Sequence, residues 1–154
     1  MFKMFRKTDN NIYAISKGKT FAIEEVKDEV FASKMMGDGI AFELQDSTIY
    51  SPIAGEITVV FPDGHAIGLK RKDGVEVLIH IGLNISELNG KGFYPKVKQG
   101  QHIEAGEVLV DLNLQELEGI DLTTLLIFTN TIGKPISFMQ KDVVSKETIV
   151  AVIE

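Results

Sequence analysis

Along the whole chain, short runs of Val, Ile, Leu and Phe alternate with polar residues and are bounded by Gly, Asn, Asp or Ser. Alternation with period two puts successive side chains on opposite faces of a strand, so each run reads as a strand with one face toward a core. Runs of this length with turn residues between them predict an all-β fold, an antiparallel β-sandwich or a barrel-like arrangement. The predicted strands cover residues 20–23, 39–44, 48–50, 55–61, 65–70, 75–81, 101–103, 108–111, 124–128 and 148–153. Short helical turns are expected at 29–35 and 113–118, where acidic residues open a segment and apolar ones follow. Residues 1–12 read as a flexible or weakly ordered start to a single domain spanning 1–154. An internal echo links "YAISKGKTFAIEEV" to "YSPIAGEITVVFPD", and "VKQGQHIEAGEVLV" repeats the same grammar of glycine followed by a β run. A duplicated small-β unit is the expected architecture, with glycines where a strand turns a corner.

The runs at 65–70 and 75–81 flank Asp73-Gly74, a strong short-range hairpin signal. Each run carries a histidine, His65 in "PDGHAIGL" and His80 in "EVLIHIGL". A loop of four residues from Arg71 to Gly74 would pair Lys70 with Val75 and set His65 directly opposite His80. A two-residue loop would make them diagonal neighbours on one face, and only a loop of odd length would separate them. The expectation is therefore two imidazoles side by side.

Around His80 the residues Val77, Leu78, Ile79, Ile81 and Leu83 are apolar. Burial disfavours the imidazolium, so the ring would stay neutral and keep a lone pair on one nitrogen. A neutral imidazole is a competent nucleophile, and a second ring beside it could donate to an incoming anion. Two such rings on a rigid sheet suit a phosphoryl group in transit. A single histidine in an apolar strand is ordinarily a satisfied core residue, and the pairing is what speaks against that here. Zinc wants three or four ligands, and the hairpin has neither H-x-H nor H-E-x-x-H. Glu76 alternates onto the face of His80 as a weak third ligand at best, so no dedicated metal is expected. Adventitious zinc between His65 and His80, completed by a partner's carboxylate, is the remaining metal reading. His102 sits in the turn-like "KQGQHIEAG" and is assigned no role.

Composition narrows the partners. The 154 residues are 44% apolar, enough for one compact core. A net charge of −6 argues against nucleic acid and suits a basic protein partner. With no cysteine there is no disulfide framework, thiolate cage or cysteine nucleophile, which fits a reducing cytoplasm. No apolar run approaches the roughly 20 residues of a membrane-spanning helix, and "MFKMFRKTDNN" lacks the apolar stretch of a secretory signal. The expected protein is soluble and cytoplasmic, with no direct membrane insertion. A start at Met1 favours a separate chain over the tail of a fused permease, and partners that come and go favour a monomer.

In order along the chain, "VFASKMMGDGIAFEL", "SPIAGEI", "FPDGHAIGL", "GVEVLIHIGLNISELNGKGF", "VKQGQHIEAGEVL" and "TNTIG" resemble the glucose-type IIA domain of the bacterial phosphoenolpyruvate-dependent sugar phosphotransferase system. The resemblance runs from about Ala14 to about Ile132. It implies an antiparallel β-sandwich built from a duplicated hybrid motif. It further implies that His80 takes a phosphoryl group from the phosphocarrier HPr and passes it to a cysteine on the IIB domain of a membrane sugar permease. His65 matches the second active-site histidine, needed for passing the group on. Phe31, Met35, Met36, Phe61 and Leu78 match the apolar rim that docks HPr, IIB and regulatory targets, and Asp28 matches an acidic residue near the site. Asp63, next to Gly64, departs from the pattern, which usually has threonine there, and Asn84 stands where an aspartate often follows. No cofactor is required by this scheme. The rival from binding proteins is a regulatory module that docks targets according to its phosphorylation state. A biotinyl or lipoyl carrier would need a lysine presented at a tight hairpin tip between methionines or similar residues, and the chain offers none.

Overall fold

Residues 9–154 are described by the computed structural model, so residues 1–8 of the expected weakly ordered start lie outside it. The alternating runs form β1 (Asn11–Tyr13), β2 (Gly18–Ala22), helix α1 (Glu29–Ala32), β3 (Asp38–Leu44), β4 (Thr48–Tyr50), β5 (Gly55–Val60), β6 (Ala66–Lys70) and β7 (Glu76–Ile81). The chain continues through β8 (Phe93–Pro95), β9 (His102–Ile103), β10 (Val108–Leu112), β11 (Thr124–Asn130), β12 (Ile136–Phe138) and β13 (Ile149–Ile153). A seven-stranded sheet runs β2-β3-β11-β7-β6-β5-β9, and two three-stranded sheets run β1-β13-β12 and β4-β10-β8. The strand pairs are antiparallel, and each sheet keeps open ends, so the fold is a sandwich and not a closed barrel.

Three strands lie outside the expected list. β1, β8 and β12 span three residues each, too short to show a period. β1 also corrects the expectation for the start of the chain, because Asn11 and Ile12 pair with Val152 and Ala151 of β13. The helix expected at 29–35 is a single turn. Asp28 caps it, and Lys34 enters the left-handed region at φ 63°, which ends it. At 113–118 the Asn113 side chain accepts from the N–H groups of Gln115 and Glu116, but only successive turns follow and no helix forms.

The seven-stranded sheet buries apolar side chains on both faces. From β7, Val77, Ile79 and Ile81 enter the main core with Ile67, Leu126 and Phe128. Leu78 points the other way, into a second cluster with Ala41, Ala66, Leu125 and Ile127. The segment from Ile23 to Phe31 covers that outer cluster, contributing Ile23, Val26 and Phe31. Its α1 turn and a 3₁₀ turn at Ile23–Glu25 lie over β3 and its neighbours.

The hairpin register differs from the four-residue loop expected for it. Lys70 pairs with Glu76 and Ala66 with His80. The Arg71 N–H donates to Val75 O at 2.8 Å and the Gly74 N–H to Arg71 O at 3.0 Å, so the loop is the odd-numbered Lys72-Asp73-Gly74. Gly74, at φ 103°, supplies the positive φ that a type I turn followed by a bulge requires. This loop wins because Arg71 is held inside. Its side chain is 2% exposed, its Nε and NH2 donate to the two carboxylate oxygens of Asp73 at 3.1 and 2.6 Å, and NH1 donates to Asp9 O at 2.7 Å.

Asp73 also accepts from Lys134 Nζ at 3.1 Å, so one carboxylate ties the hairpin tip, the chain before β1 and the turn after β11. The Arg71 guanidinium holds the Asp73 carboxyl well below the usual carboxylate range. That stabilisation is complete above the unfolded value near pH 4 and is lost as pH falls toward the depressed folded value. Asp73→Ala should therefore lower the unfolding free energy by about 3 kcal/mol at pH 7, because it strands a buried guanidinium. In urea denaturation the gap to the unmodified protein should narrow at pH 3; a pH-independent gap would assign the loss to packing instead.

Candidate functional site

His80 lies on the outer face of β7, two residues from Leu78 and directly opposite Ala66 of β6 and Leu125 of β11. Phe31, brought over by α1, sits 4.9 Å from the His80 ring, centroid to centroid, at 54°.

His65 reaches the same place by a different route. In the observed register its backbone faces Ile81, whose N–H donates to His65 O at 2.8 Å, and Ile81 points into the core. Strict alternation would send His65 inward too. It escapes because it precedes β6 and belongs to the bend after Gly64, which takes φ 78°. That bend is closed by Gly64 N–H to Phe61 O at 2.8 Å and Phe61 N–H to Ala66 O at 3.0 Å. It presses on β8: a Cβ on Gly64 would lie 2.8 Å from Pro95 Cγ and 2.9 Å from Cδ. The His65 ring then stands edge-on between Phe61 at 5.6 Å and Phe93 at 6.4 Å, and its centroid is 5.1 Å from that of His80 at 79°. The two imidazoles are side by side as expected, although the register expected to put them there is wrong.

The two rings open into a depression of about 440 Å³ whose margin carries Asp28, Asp63, Asn84 and Ser86. Among the described residues, no lysine or arginine lines it. Burial pushes the His80 pKa down to about 4, helped by the neighbouring His65, while the Gly82 backbone and Asp28 pull weakly the other way. Burial lowers His65 as well, opposed by the carboxylate of Asp63. Both rings are thus neutral at pH 7 with one lone pair each. In each, Nδ1 is buried without a hydrogen-bond partner, which leaves Nε2 as the nitrogen toward the depression.

The residues expected at the rim divide into two groups. Met35 (76% exposed), Met36 and Phe61 are exposed, Phe61 against the His65 ring, whereas Phe31 and Leu78 are buried, and of these five Phe31 alone lines the depression. Val30, exposed, joins the rim, and Phe93 joins the wall; neither was singled out from the sequence. Val30 is signalled only by its place beside Phe31. Phe93 arrives from β8 in another sheet, which no local pattern reveals. Asp28 lines the depression while its Oδ1 caps α1, accepting from the N–H groups of Val30 at 3.0 Å and Phe31 at 3.4 Å. His102 lies on the edge strand β9 beside Glu104, away from this depression. Among the described residues no three His, Asp or Glu side chains are placed to hold a metal ion. Glu76 is spent opposite Lys70 at the far end of the hairpin.

A family model for the phosphoenolpyruvate-dependent sugar phosphotransferase system, EIIA 1, matches residues 10–133. A glucose-specific EIIA component from Mycoplasma capricolum is 34% identical over 145 residues, covering 93% of this chain and 94% of that protein. The solved glucose permease IIA from the same organism superposes with a TM-score of 0.86 at 33% identity, over 96% of this chain and 97% of that one. A glucose-specific EIICBA component from Streptococcus pneumoniae is 42% identical over 128 residues, 82% of this chain but only 18% of that longer protein. The chain therefore spans about a fifth of the fused relatives and nearly all of the Mycoplasma one. With the antiparallel sandwich and the paired histidines in place, the chain belongs to the EIIA 1 family of the phosphoenolpyruvate-dependent sugar phosphotransferase system.

Proposed function

We propose that the chain is a phosphocarrier in which His80 accepts a phosphoryl group from phospho-HPr and delivers it to a cysteine on the IIB domain of a glucose-class permease. Nε2 of the neutral His80 attacks phosphorus, and the bond from phosphorus to HPr breaks as the new P–N bond forms. In the second transfer the IIB thiolate attacks, the P–N bond breaks and its electron pair returns to Nε2. His65, edge-on to His80, stabilises charge on the phosphoryl oxygens during the outgoing step. The observation that carries this reading is the pair of imidazoles 5.1 Å apart in an open, mostly apolar depression. Openness lets two partners reach one nitrogen in turn, and each completes the enclosure that excludes water during transfer. Nothing in either step calls for a cofactor. A cytoplasmic setting follows from these partners, and no helix among the described residues is long and apolar enough to cross a membrane.

A second role rests on the exposed Met35, Met36, Val30 and Phe61. Methionine adapts to differently shaped partners, so this rim suits regulatory targets as well as HPr and IIB. A phosphoryl group on His80 would weaken their docking through desolvation and repulsion. Pulldowns with phosphorylated and unphosphorylated protein should show preferential capture by the unphosphorylated form; equal capture would remove this role.

Incubation with phosphoenolpyruvate, enzyme I and HPr should place one acid-labile phosphoryl group on the protein, read by intact mass. His80→Ala should carry none. His65→Ala should still accept the group but fail to pass it to IIB, and normal transfer by that variant would overturn the role given to His65.

The pH dependence follows from the lowered His80 pKa. Because neutral His80 is the acceptor, the rate of acceptance should stay flat from pH 8 to about pH 5 and decline only as pH approaches about 4. In an NMR titration His80 should stay neutral through pH 6, and a midpoint near the ordinary value of about 6.5 would contradict its burial.

A further inference from the structure

We propose that Asp63 is the specificity-determining carboxylate of this site, the group that reads a lysine or arginine on the phosphoryl donor. The inference rests on the phosphocarrier reading and adds to it the residue that selects the donor. An incoming phosphoryl group carries close to two negative charges. Among the described residues the depression offers it no lysine or arginine, but two carboxylates, Asp28 and Asp63. A free phosphate is repelled by such a site. A protein donor can enter only if it brings its own cations, and a carboxylate at the rim then has something to pair with.

The two carboxylates are not equivalent. Asp28 is committed, its Oδ1 capping the turn that carries Phe31 over His80. Asp63 is exposed, and among the described residues its carboxylate has neither a hydrogen bond nor a salt bridge. It is nevertheless held in place. The backbone of Asp63 abuts Gly90, where a Cβ would stand 3.1 Å from Asp63 O and 3.2 Å from its Cα. On the other side, Gly64 presses on Pro95. A carboxylate with a clamped backbone and no internal partner is preorganised for a partner from outside. Asn84 and Ser86, both uncharged, also line the depression. Asp28 acts on His80 and Asp63 on His65, so a donor cation paired with Asp63 is read on the His65 side.

The test is single-turnover transfer from purified phospho-HPr in the presence of a chelator, at low and high ionic strength. Unmodified protein, Asp63→Asn, Asp63→Glu and the double variant Asp63→Asn with Asn84→Asp are compared, each with its thermal midpoint checked. Asp63→Asn should raise the half-saturating donor concentration roughly fivefold at low salt, as expected for one exposed ion pair. The loss should fall on half-saturation and not on the saturating rate, and should shrink at high salt. Asp63→Glu should retain most of the affinity, and the double variant should not regain it. The proposal is overturned by an unchanged half-saturation, by a loss equal at both salts, by a loss confined to the saturating rate, or by full rescue in the double variant. If the unmodified protein takes no phosphoryl group at all, the phosphocarrier reading itself fails. If it is labelled normally and Asp63→Asn behaves like it, only the role of Asp63 fails.

Discussion

The site exists because one sheet buries apolar side chains on both of its faces. An antiparallel sheet with one wet face would leave His80 in water with an ordinary pKa near 6.5, half charged at slightly acid pH. Here the outer face carries Leu78, Leu125 and Ile127, and the segment from Ile23 to Phe31 lies across them. His80 sits at the margin of that covered patch, buried enough to stay neutral and open enough at Nε2 to react. Further cover would bury the nucleophile, and less would protonate it. The short α1 turn is part of this constraint, since Asp28 caps it and it places Phe31 against the imidazole.

That two-faced burial was only partly legible in the chain, whose runs read as strands with one face toward a core. "EVLIHIGL" does not alternate cleanly, and a continuous apolar run with a single histidine is what a strand buried on both sides looks like. Ten of the strand positions and the Asp73-Gly74 tip follow from periodicity and turn chemistry. The register did not, because it depends on Arg71. A charged residue beside a turn reads as exposed, yet Arg71 is buried and bound to Asp73 and to the Asp9 carbonyl, a contact 62 residues away in sequence. Such a long-range partner selects the odd loop over the even one, and no local rule sees it. Parity then fails to separate the rings because His65 lies in the bend after Gly64 and not in the strand. Phe93 and the clamp on Asp63 were invisible for the same reason: they join His65 to Phe93 and Asp63 to Gly90, partners nearly thirty residues apart that no local pattern links.

The electrostatics of the depression turn on what it lacks. A phosphoryl-binding site ordinarily collects lysines, arginines or backbone N–H groups around the anion. This one has neutral imidazoles, aromatic walls and two carboxylates. A surface of that kind holds phosphate poorly, which suits the proposed carrier, whose phosphoryl group has to leave again. Strong positive charge would stabilise the P–N bond or its oxygens in the ground state, and that stabilisation would have to be surrendered before the next transfer. Under the role proposed for Asp63, cations supplied by the partner act during the encounter and depart with it.

The same reasoning accounts for the division between rigid and adaptable parts. In the proposed transfer Nε2 of His80 meets two different donor and acceptor atoms along one line of attack, and the ring is held for it by sheet pairing to Ala66 and Leu125 and by Phe31. The surfaces that deliver those atoms differ, so the contacts around the ring cannot all be rigid. Met35, Met36 and Val30, on or beside a single capped turn, supply side chains that can repack without moving the histidine. In this reading a sheet holds the chemistry and a short exposed turn meets the partners. The boundary between them runs through Phe31, one face of which packs on the sheet's outer cluster while its ring edge lines the depression.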